Sequence, residues 1–263
     1  ETVLGSSGTI GSRLVARLRQ AGQLVEAPGR GDGAIYDRPL GHVIYAIGLT
    51  ADFRQRPFDT VQAHVNVLAE LLQHGNFESL LYLSSTRVYG RAVSSREDIP
   101  LPVLTQDASD LYNLSKLMGE SLCLQDARAS IRVVRLSNVV GGKDTNSPNF
   151  LPSLVRGARN GCIELQTAMD SAKDYIHIDD AVELLTRIAS TGRQRLYNVA
   201  SGVQTTHAQW ASQLAAQTGC KIVVAPGAVA VQFVPIDITR IREEFNFQPR
   251  FMTDCTASIK ESA

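Results

Sequence analysis

The sequence predicts an α/β fold built on a parallel sheet. Three observations carry that expectation. Short β-type apolar runs alternate with amphipathic segments as far as about residue 140. The first such junction holds three glycines in "VLGSSGTIGSRL". After residue 141 the alternation gives way to a polar, turn-rich stretch, "GGKDTNSPN". Repeated strand–helix–strand units imply a doubly wound parallel sheet of the Rossmann type, with a smaller C-terminal substrate-binding lobe.

The elements follow in order. "TVLG" is a short strand ending in glycine, and "TIGSRLVARLRQAG" is an amphipathic helix. Its Ile10, Leu14, Val15 and Leu18 share one side, and Gly22 is the stop signal. "QLVEAP" is the next strand, and "HVIYAIG" is a nearly continuous apolar run, as expected of a strand covered on both faces. "FDTVQAHVNVLAELLQHG" is a long helix, "SLLYLSS" a strand, "DLYNLSKLMGESLCLQDA" a helix and "IRVVRLS" a strand. Beyond residue 141, "FLPSLVRGARNG" is a short helix, and "DYIHIDDAVELLTRIAST" is a brief strand leading into a helix capped by Asp179 or Asp180. "RLYNVAS" and "KIVVAP" are strands, and "HAQWASQLAAQTG" is a helix. The expected division is a dinucleotide-binding domain over 1–140 and a mainly substrate-binding lobe over 141–263, with about 174–200 returning to the first domain.

Lys+Arg and Asp+Glu both count 26 among 263 residues, so the formal net charge is zero. No basic tail or stripe is present, which argues against nucleic acid as a partner. Cys123, Cys162, Cys220 and Cys255 are far apart with no C-x-x-C pair, so they read as reduced, mostly buried thiols. With no apolar run of roughly 18 residues and no signal peptide, a cytoplasmic protein without a membrane partner is expected. The chain opens at "ETVLGSSG" without a methionine, and a few leading residues are expected before it.

Gly5, Gly8 and Gly11 stand at G-x-x-G-x-x-G spacing between strand and helix. Gly5 permits a tight turn, Gly8 lets a pyrophosphate approach the backbone, and Gly11 lets helix and strand pack closely. The helix N-terminus offers free N–H groups to phosphates. The bland alternative is a glycine-rich turn with no ligand, which the strand–helix context disfavours. At the end of the second strand an acid would bind a ribose 2′-OH, whereas an arginine favours a 2′-phosphate. Arg30 stands there, with Asp32 slightly beyond, so the cofactor is NAD or NADP with a lean to NADP. The interval from Arg30 to "HVIYAIG" is unusually short.

Tyr112 and Lys116 lie four residues apart in "LYNLSKLMGE", one turn apart on one helix face. Together with the glycine loop and "YLSSTRVYG", this pair resembles the extended short-chain dehydrogenase/reductase family of sugar-nucleotide epimerases and dehydratases. "HVIYAIG", "RLSNVVG", "SPNFLP", "KDYIHIDDAV" and "IDITRIREEFNFQPRF" resemble further segments of that family, in order and over nearly the whole chain.

The resemblance implies a set of roles. Tyr112 is the acid/base, exchanging a proton with a sugar hydroxyl or ketone while hydride moves to or from nicotinamide. Lys116 lowers the tyrosine's usual value of about 10 and holds the nicotinamide ribose. Ser85 is the hydroxyl on the reacting oxygen, with Ser84 and Thr86 as alternatives. Cofactor contacts fall to Gly5, Ser7, Gly8, Thr9, Ile10, Gly11, Arg30, Ala46, Ile47, Gly48 and Val139, besides Tyr112 and Lys116. Substrate contacts fall to Thr50, Ser85, Thr86, Asn138, Asn149 and Lys173. Lys173 replaces a phosphate-binding arginine, keeping the charge and losing the fork. Its plain alternative is a solvated loop lysine. No metal is implied.

Three departures matter. His64 stands where the family has an asparagine. A second phosphate-binding arginine is missing from the apolar "APGAVAVQFVP". Thr86 and Arg87 stand where dehydratases carry Asp-Glu, which disfavours water elimination. What the resemblance then implies is 4-epimerisation of a sugar nucleotide through a 4-ketose, or net reduction of a keto-sugar with NADPH. A cofactor-binding regulator on the same fold, or a reductase of a non-nucleotide carbonyl compound, are the other readings. A homodimer is expected, joined through the long helix and the Tyr112 helix.

Overall fold

The computed structural model describes residues 1–50, 52–142 and 149–250. The central sheet has strand order β1–β2–β3–β4–β8, all parallel. Its strands are β1 (Thr2–Leu4), β2 (His42–Tyr45), β3 (Ser79–Ser85), β4 (Ile131–Leu136) and β8 (Leu196–Val199). Outside β1 the chain contributes one parallel bridge, Thr2 to Glu26. The chain runs outward from β1 to Glu26 and then crosses to β2 on the other side. That places β1 at the switch point, where open α/β sheets bind ligands beyond their strand ends.

"QLVEAP" is therefore corrected from a strand to a single bridge. Only Val25 of it packs against the core, while Leu24 is 92 % exposed. Pro28 then removes a backbone donor where pairing would continue. The short interval to β2 holds one 3₁₀ turn, Gly33–Tyr36, capped by the Asp32 side chain. "HVIYAIG" is a strand only to Tyr45.

Strand side chains alternate between two cores. Val3, Ile44, Leu81, Leu83, Val134 and Tyr197 pack with α1 (Thr9–Gln20) and α6 (Ile178–Thr191). Leu4, Tyr45, Leu80, Tyr82 and Val133 pack on the opposite side with Leu68, Leu71 and Cys123. Leu68 and Leu71 belong to α3 (Val67–His74), and Cys123 to α4 (Asp110–Gln125).

The expected long helix is interrupted. It begins as α2 (Pro57–Val61), widens into a π turn over Gln62–Asn66 and resumes as α3. Side-chain hydroxyls take up carbonyls of the widened turn. Tyr45 Oη donates to Ala63 O at 2.7 Å and Tyr82 Oη to His64 O at 3.2 Å. Gly119 is what lets α4 come this close. A Cβ there would lie 2.4 Å from Tyr82 Oη and 2.9 Å from His64 O.

Beyond β4 the chain builds two small sheets. One has order β5–β7–β9, from β5 (Asn138–Val140), β7 (Ala172–His177) and β9 (Gln204–Thr206). The other pairs β6 (Cys162–Leu165) with β10 (Lys221–Val224). A third apolar cluster joins them to α5 (Phe150–Arg159) and α7 (His207–Thr218), centred on Leu151, Leu154, Ile163, Tyr175 and Trp210. The α7 start is a full capping box between Thr206 and Gln209. The α6 start differs from expectation. His177, not an aspartate, is its N-cap, its Nδ1 accepting from Asp179 N at 3.2 Å, and both aspartates sit in the first turn. A last helix, α8 (Thr239–Phe245), packs against α6 and β8.

The cysteine expectation needs one correction. Cys123 is buried and free, but Cys162 is exposed on the outer side of its edge strand, and Cys220 is half-buried. Cys255, Ser147 and Pro148 lie outside the described residues.

Candidate active site

The glycine loop closes on itself through Gly8 N donating to Gly5 O at 3.1 Å. Gly5 has φ +84°, and a Cβ on it would stand 2.7 Å from the Ala46 carbonyl. A Cβ on Gly11 would stand 2.2 Å from Gly5 O. Both glycines are thus required by the protein's own backbone. Gly8 is not, since its Cβ would meet only Gly5 O at 3.5 Å. Gly8 is also the N-cap of α1, without a side-chain cap and with no acid in the first turn. The N–H groups of Thr9, Ile10 and Gly11 therefore have no intrahelical partner and lie at the positive end of the helix dipole. This cradle fits a dinucleotide pyrophosphate. Ser7 and Thr9 are exposed beside it, and Ile10 is half-buried against the core. Ala46, Ile47 and Gly48 leave the β2 end next to it.

Tyr112 and Lys116 project from α4 toward the ends of β2 and β3, and both are buried. Lys116 Nζ donates to Leu83 O at 2.8 Å and stands 5.1 Å from the Tyr82 ring centre. Burial brings it down to about 7, with Glu120 opposing. The Tyr112 hydroxyl faces Ser85 at the end of β3, which favours its ionised form. Its ring packs against Phe53 and, edge-on, against His64.

The expectation that Lys116 lowers the Tyr112 pKa is corrected. Burial raises it, and the opposing groups are Ser85 and Arg87. Lys116 is not among the groups that oppose burial, and one of its N–H donors is turned to the Leu83 carbonyl. Ser85 Oγ also accepts from Arg87 N at 3.2 Å and caps the Thr86–Tyr89 turn. Ser84 faces away, donating to Glu120 Oε1 at 2.5 Å. Glu120 in turn holds Arg135 through paired hydrogen bonds. Thr86 is buried beyond Ser85.

His64 proves more consequential than its sequence suggests. Fully buried in the π turn, its Nε2 accepts from Leu49 N at 3.1 Å, and its Nδ1 meets Ser115 Oγ at 2.8 Å. Ser115 passes the bond on to Tyr112 O at 2.8 Å. The ring therefore bears its proton on Nδ1 and joins the loop after β2 to the Tyr112 helix. Burial, then Lys116, push its pKa down to about 2. No sequence signal marks a π turn, so this role was not legible.

The remaining positions stand on separate elements. Asn138 opens β5 and donates to Asp174 O at 2.8 Å, and Val139 follows it. Asn149 is the N-cap of α5. Thr50 is exposed on the loop after β2. Lys173 is half-buried on β7, its Nζ 5.7 Å from the Phe233 ring centre. Burial and then Arg87 lower its pKa, and Lys173 helps burial bring His207 down to about 4. That argues against a solvated loop lysine. Arg30 is exposed past the Glu26 bridge, whereas Asp32 is paired with Arg38.

A model of the NAD-dependent epimerase/dehydratase family matches residues 2–200. The chain belongs to that family. As a member it is an NAD(P)-dependent enzyme of the extended short-chain dehydrogenase/reductase type. It is 28 % identical over 227 residues to the GDP-6-deoxy-D-mannose reductase of Pseudomonas aeruginosa, covering 76 % of this chain and 74 % of that one. It is 26 % identical to the dTDP-4-dehydro-6-deoxy-D-allose reductase of Streptomyces bikiniensis, over 73 % of this chain and 63 % of that one. The fold superposes on RMD from Pseudomonas aeruginosa, solved with NADPH, with TM-score 0.79, 25 % identity and 100 % of each chain covered. Among the described residues no helix is long and apolar enough to cross a membrane.

Proposed function

We propose that this family member interconverts a hydroxyl and a ketone at the hexose C4 of a sugar nucleotide, with Tyr112 as proton carrier. The observation that carries this reading is the meeting of Tyr112 and Ser85 beside the Gly5–Gly11 cradle at the strand ends. A nicotinamide dinucleotide, when bound, supplies the hydride acceptor and donor. Gly5, Gly8 and Gly11 and the α1 N-terminus bind its pyrophosphate, and Arg30 favours a 2′-phosphate. Ser85 holds the reacting oxygen by hydrogen bond and aligns it with the phenol. Tyr112 gives a proton to that oxygen in the reducing direction and takes it in the oxidising one. Lys116, fixed on Leu83 O, holds the cofactor ribose. Lys173 attracts the diphosphate, with Asn138 and Asn149 beside it.

The first reading is 4-epimerisation, in which a transient 4-ketose is reduced on its other face. Net reduction is a second reading, favoured by the two relatives, which are themselves named as reductases. Incubation with UDP-, dTDP- and GDP-sugars tests both. An epimerase converts one hexose into its C4 epimer with no net absorbance change at catalytic cofactor levels. A reductase consumes one NADPH per keto-sugar. Failure to act on, or bind, any sugar nucleotide sinks the reading.

A homodimer is proposed through α2–α3 and α4. Phe58 on α2 is 88 % exposed and Met118 on α4 is 54 % exposed. Light scattering at micromolar concentration should give twice the mass of the 28.5 kDa chain.

A further inference from the structure

Arg87 stands two residues after Ser85, and its own backbone N–H fixes the Ser85 hydroxyl at 3.2 Å. Its guanidinium carbon lies 5.9 Å from the Tyr112 ring centre and 5.3 Å from the Phe53 ring centre. Its Nε is buried and meets no acceptor. Among the described residues no carboxylate forms an ion pair with it. The acids within reach of its charge, Asp107 and Asp110, are both held by Arg91. The other charges around it are positive. Arg54 also lies over the Phe53 ring, 4.5 Å from its centre, and is turned to Ser109 Oγ at 2.8 Å. Lys173 approaches from β7. An arginine half-buried among cations with an unmet donor is costly unless an anion arrives to meet it.

The place of that anion follows from the proposed function, on which this inference rests. In a pyranose oxidised or reduced at C4, the diphosphate on C1 lies across the ring from the reacting carbon. Lys173, on β7, is the cation for that far end. Arg87 stands over the ring of Tyr112 itself, so what it meets is a substituent next to the reacting carbon. The planar fork of a guanidinium matches a carboxylate. We propose that Arg87 is a specificity-determining residue that binds a carboxylate at C6, so that the preferred substrate is a nucleotide-activated hexuronate and not the neutral hexose.

The test compares UDP-glucuronate with UDP-glucose, and GDP-mannuronate with GDP-mannose, by calorimetry on the full chain with NAD⁺ or NADP⁺ present. The wild type should bind the uronate about 10- to 100-fold tighter than its neutral partner in at least one series, as a charge-assisted pair allows. Arg87→Gln should bring that ratio to within about threefold of unity, and Arg87→Lys should retain part of it. Lys173→Gln should weaken both sugars alike and leave the ratio in place. Unchanged dinucleotide affinity in each variant certifies the fold. Equal binding of uronate and hexose by the wild type would overturn the inference while leaving the proposed C4 chemistry standing. Equal weakening of both sugars by Arg87→Gln would also overturn it, assigning Arg87 to the diphosphate. So would a shifted pH profile of turnover with an unchanged ratio, which would assign Arg87 to the phenol. If no sugar nucleotide binds, the proposed function falls, and this inference with it.

Discussion

The two walls of the proposed site are built on different principles. On the proposed cofactor wall the backbone dictates the residues. Gly5 and Gly11 face carbonyl groups at 2.7 and 2.2 Å, where no side chain fits. On the proposed substrate wall, side chains from four separate segments contribute, and their donors and charges are left partly unmet. Arg87, Lys173 and His207 are examples. The first wall is set by local sterics within eight residues of chain. The second exists only after β7, the turn after β3, the loop after β2 and the start of α7 have packed together. A common cofactor needs one fixed cradle, whereas substrate choice can change with single side chains.

Tyr112 sits between the walls, and its removal should have the largest effect. Tyr112→Phe keeps the ring against Phe53 and His64 but removes the proton. A loss of about 10²- to 10⁴-fold in kcat is expected, with dinucleotide affinity unchanged by calorimetry. Near-normal turnover would move the chemistry away from this helix.

Gly11→Ala probes the cofactor wall alone. The methyl group meets Gly5 O at 2.2 Å, so the loop must open. Dinucleotide affinity should fall more than about 100-fold, and thermal unfolding should show a loss of about 1–3 kcal/mol. Tight dinucleotide binding in this variant would break the distinction between the walls. On the other wall, Lys173→Met should raise the KM for a sugar nucleotide by about 10- to 100-fold, with dinucleotide affinity intact. If both affinities fell together, the two walls would act as one site.

The difference between the walls also governs what was legible in the sequence. The α/β alternation, the glycine loop and the Tyr112–Lys116 spacing are local patterns, and each appears in the fold where its period placed it. "QLVEAP" misled because β-type residues make a strand only when a neighbour pairs with them, and here a single bridge at Glu26 forms. The α6 cap misled because aspartates are good caps, yet His177 is the residue whose backbone is extended at that point. Arg87 was legible as an obstacle to dehydration. Its unmet donor was not, since burial and partners belong to the packed molecule. The Tyr112 pKa was misread for the same reason. Spacing places Lys116 on its face, but only the fold shows the ammonium turned to Leu83 O.

His64 gives the smallest effect and the sharpest test of how the walls are joined. It links the loop after β2 to α4 through Leu49 N and Ser115. Its folded pKa of about 2 lies below its ordinary 6.5. Below pH 6.5 the unfolded chain takes up a proton that the folded chain refuses, so stability falls as pH drops from 6.5 toward 2, and above 6.5 this group adds no slope. The loss can reach about 1.4 kcal/mol per pH unit for one proton. His64→Asn keeps an acceptor for Leu49 N but cannot titrate. Urea unfolding midpoints between pH 6.5 and 4.5 should therefore fall less steeply in the variant than in the wild type. Identical slopes would mean that His64 takes up its proton in the folded state, and that its bond from Leu49 N gives way first. The join between the walls would then open in mild acid, and turnover would fall with it.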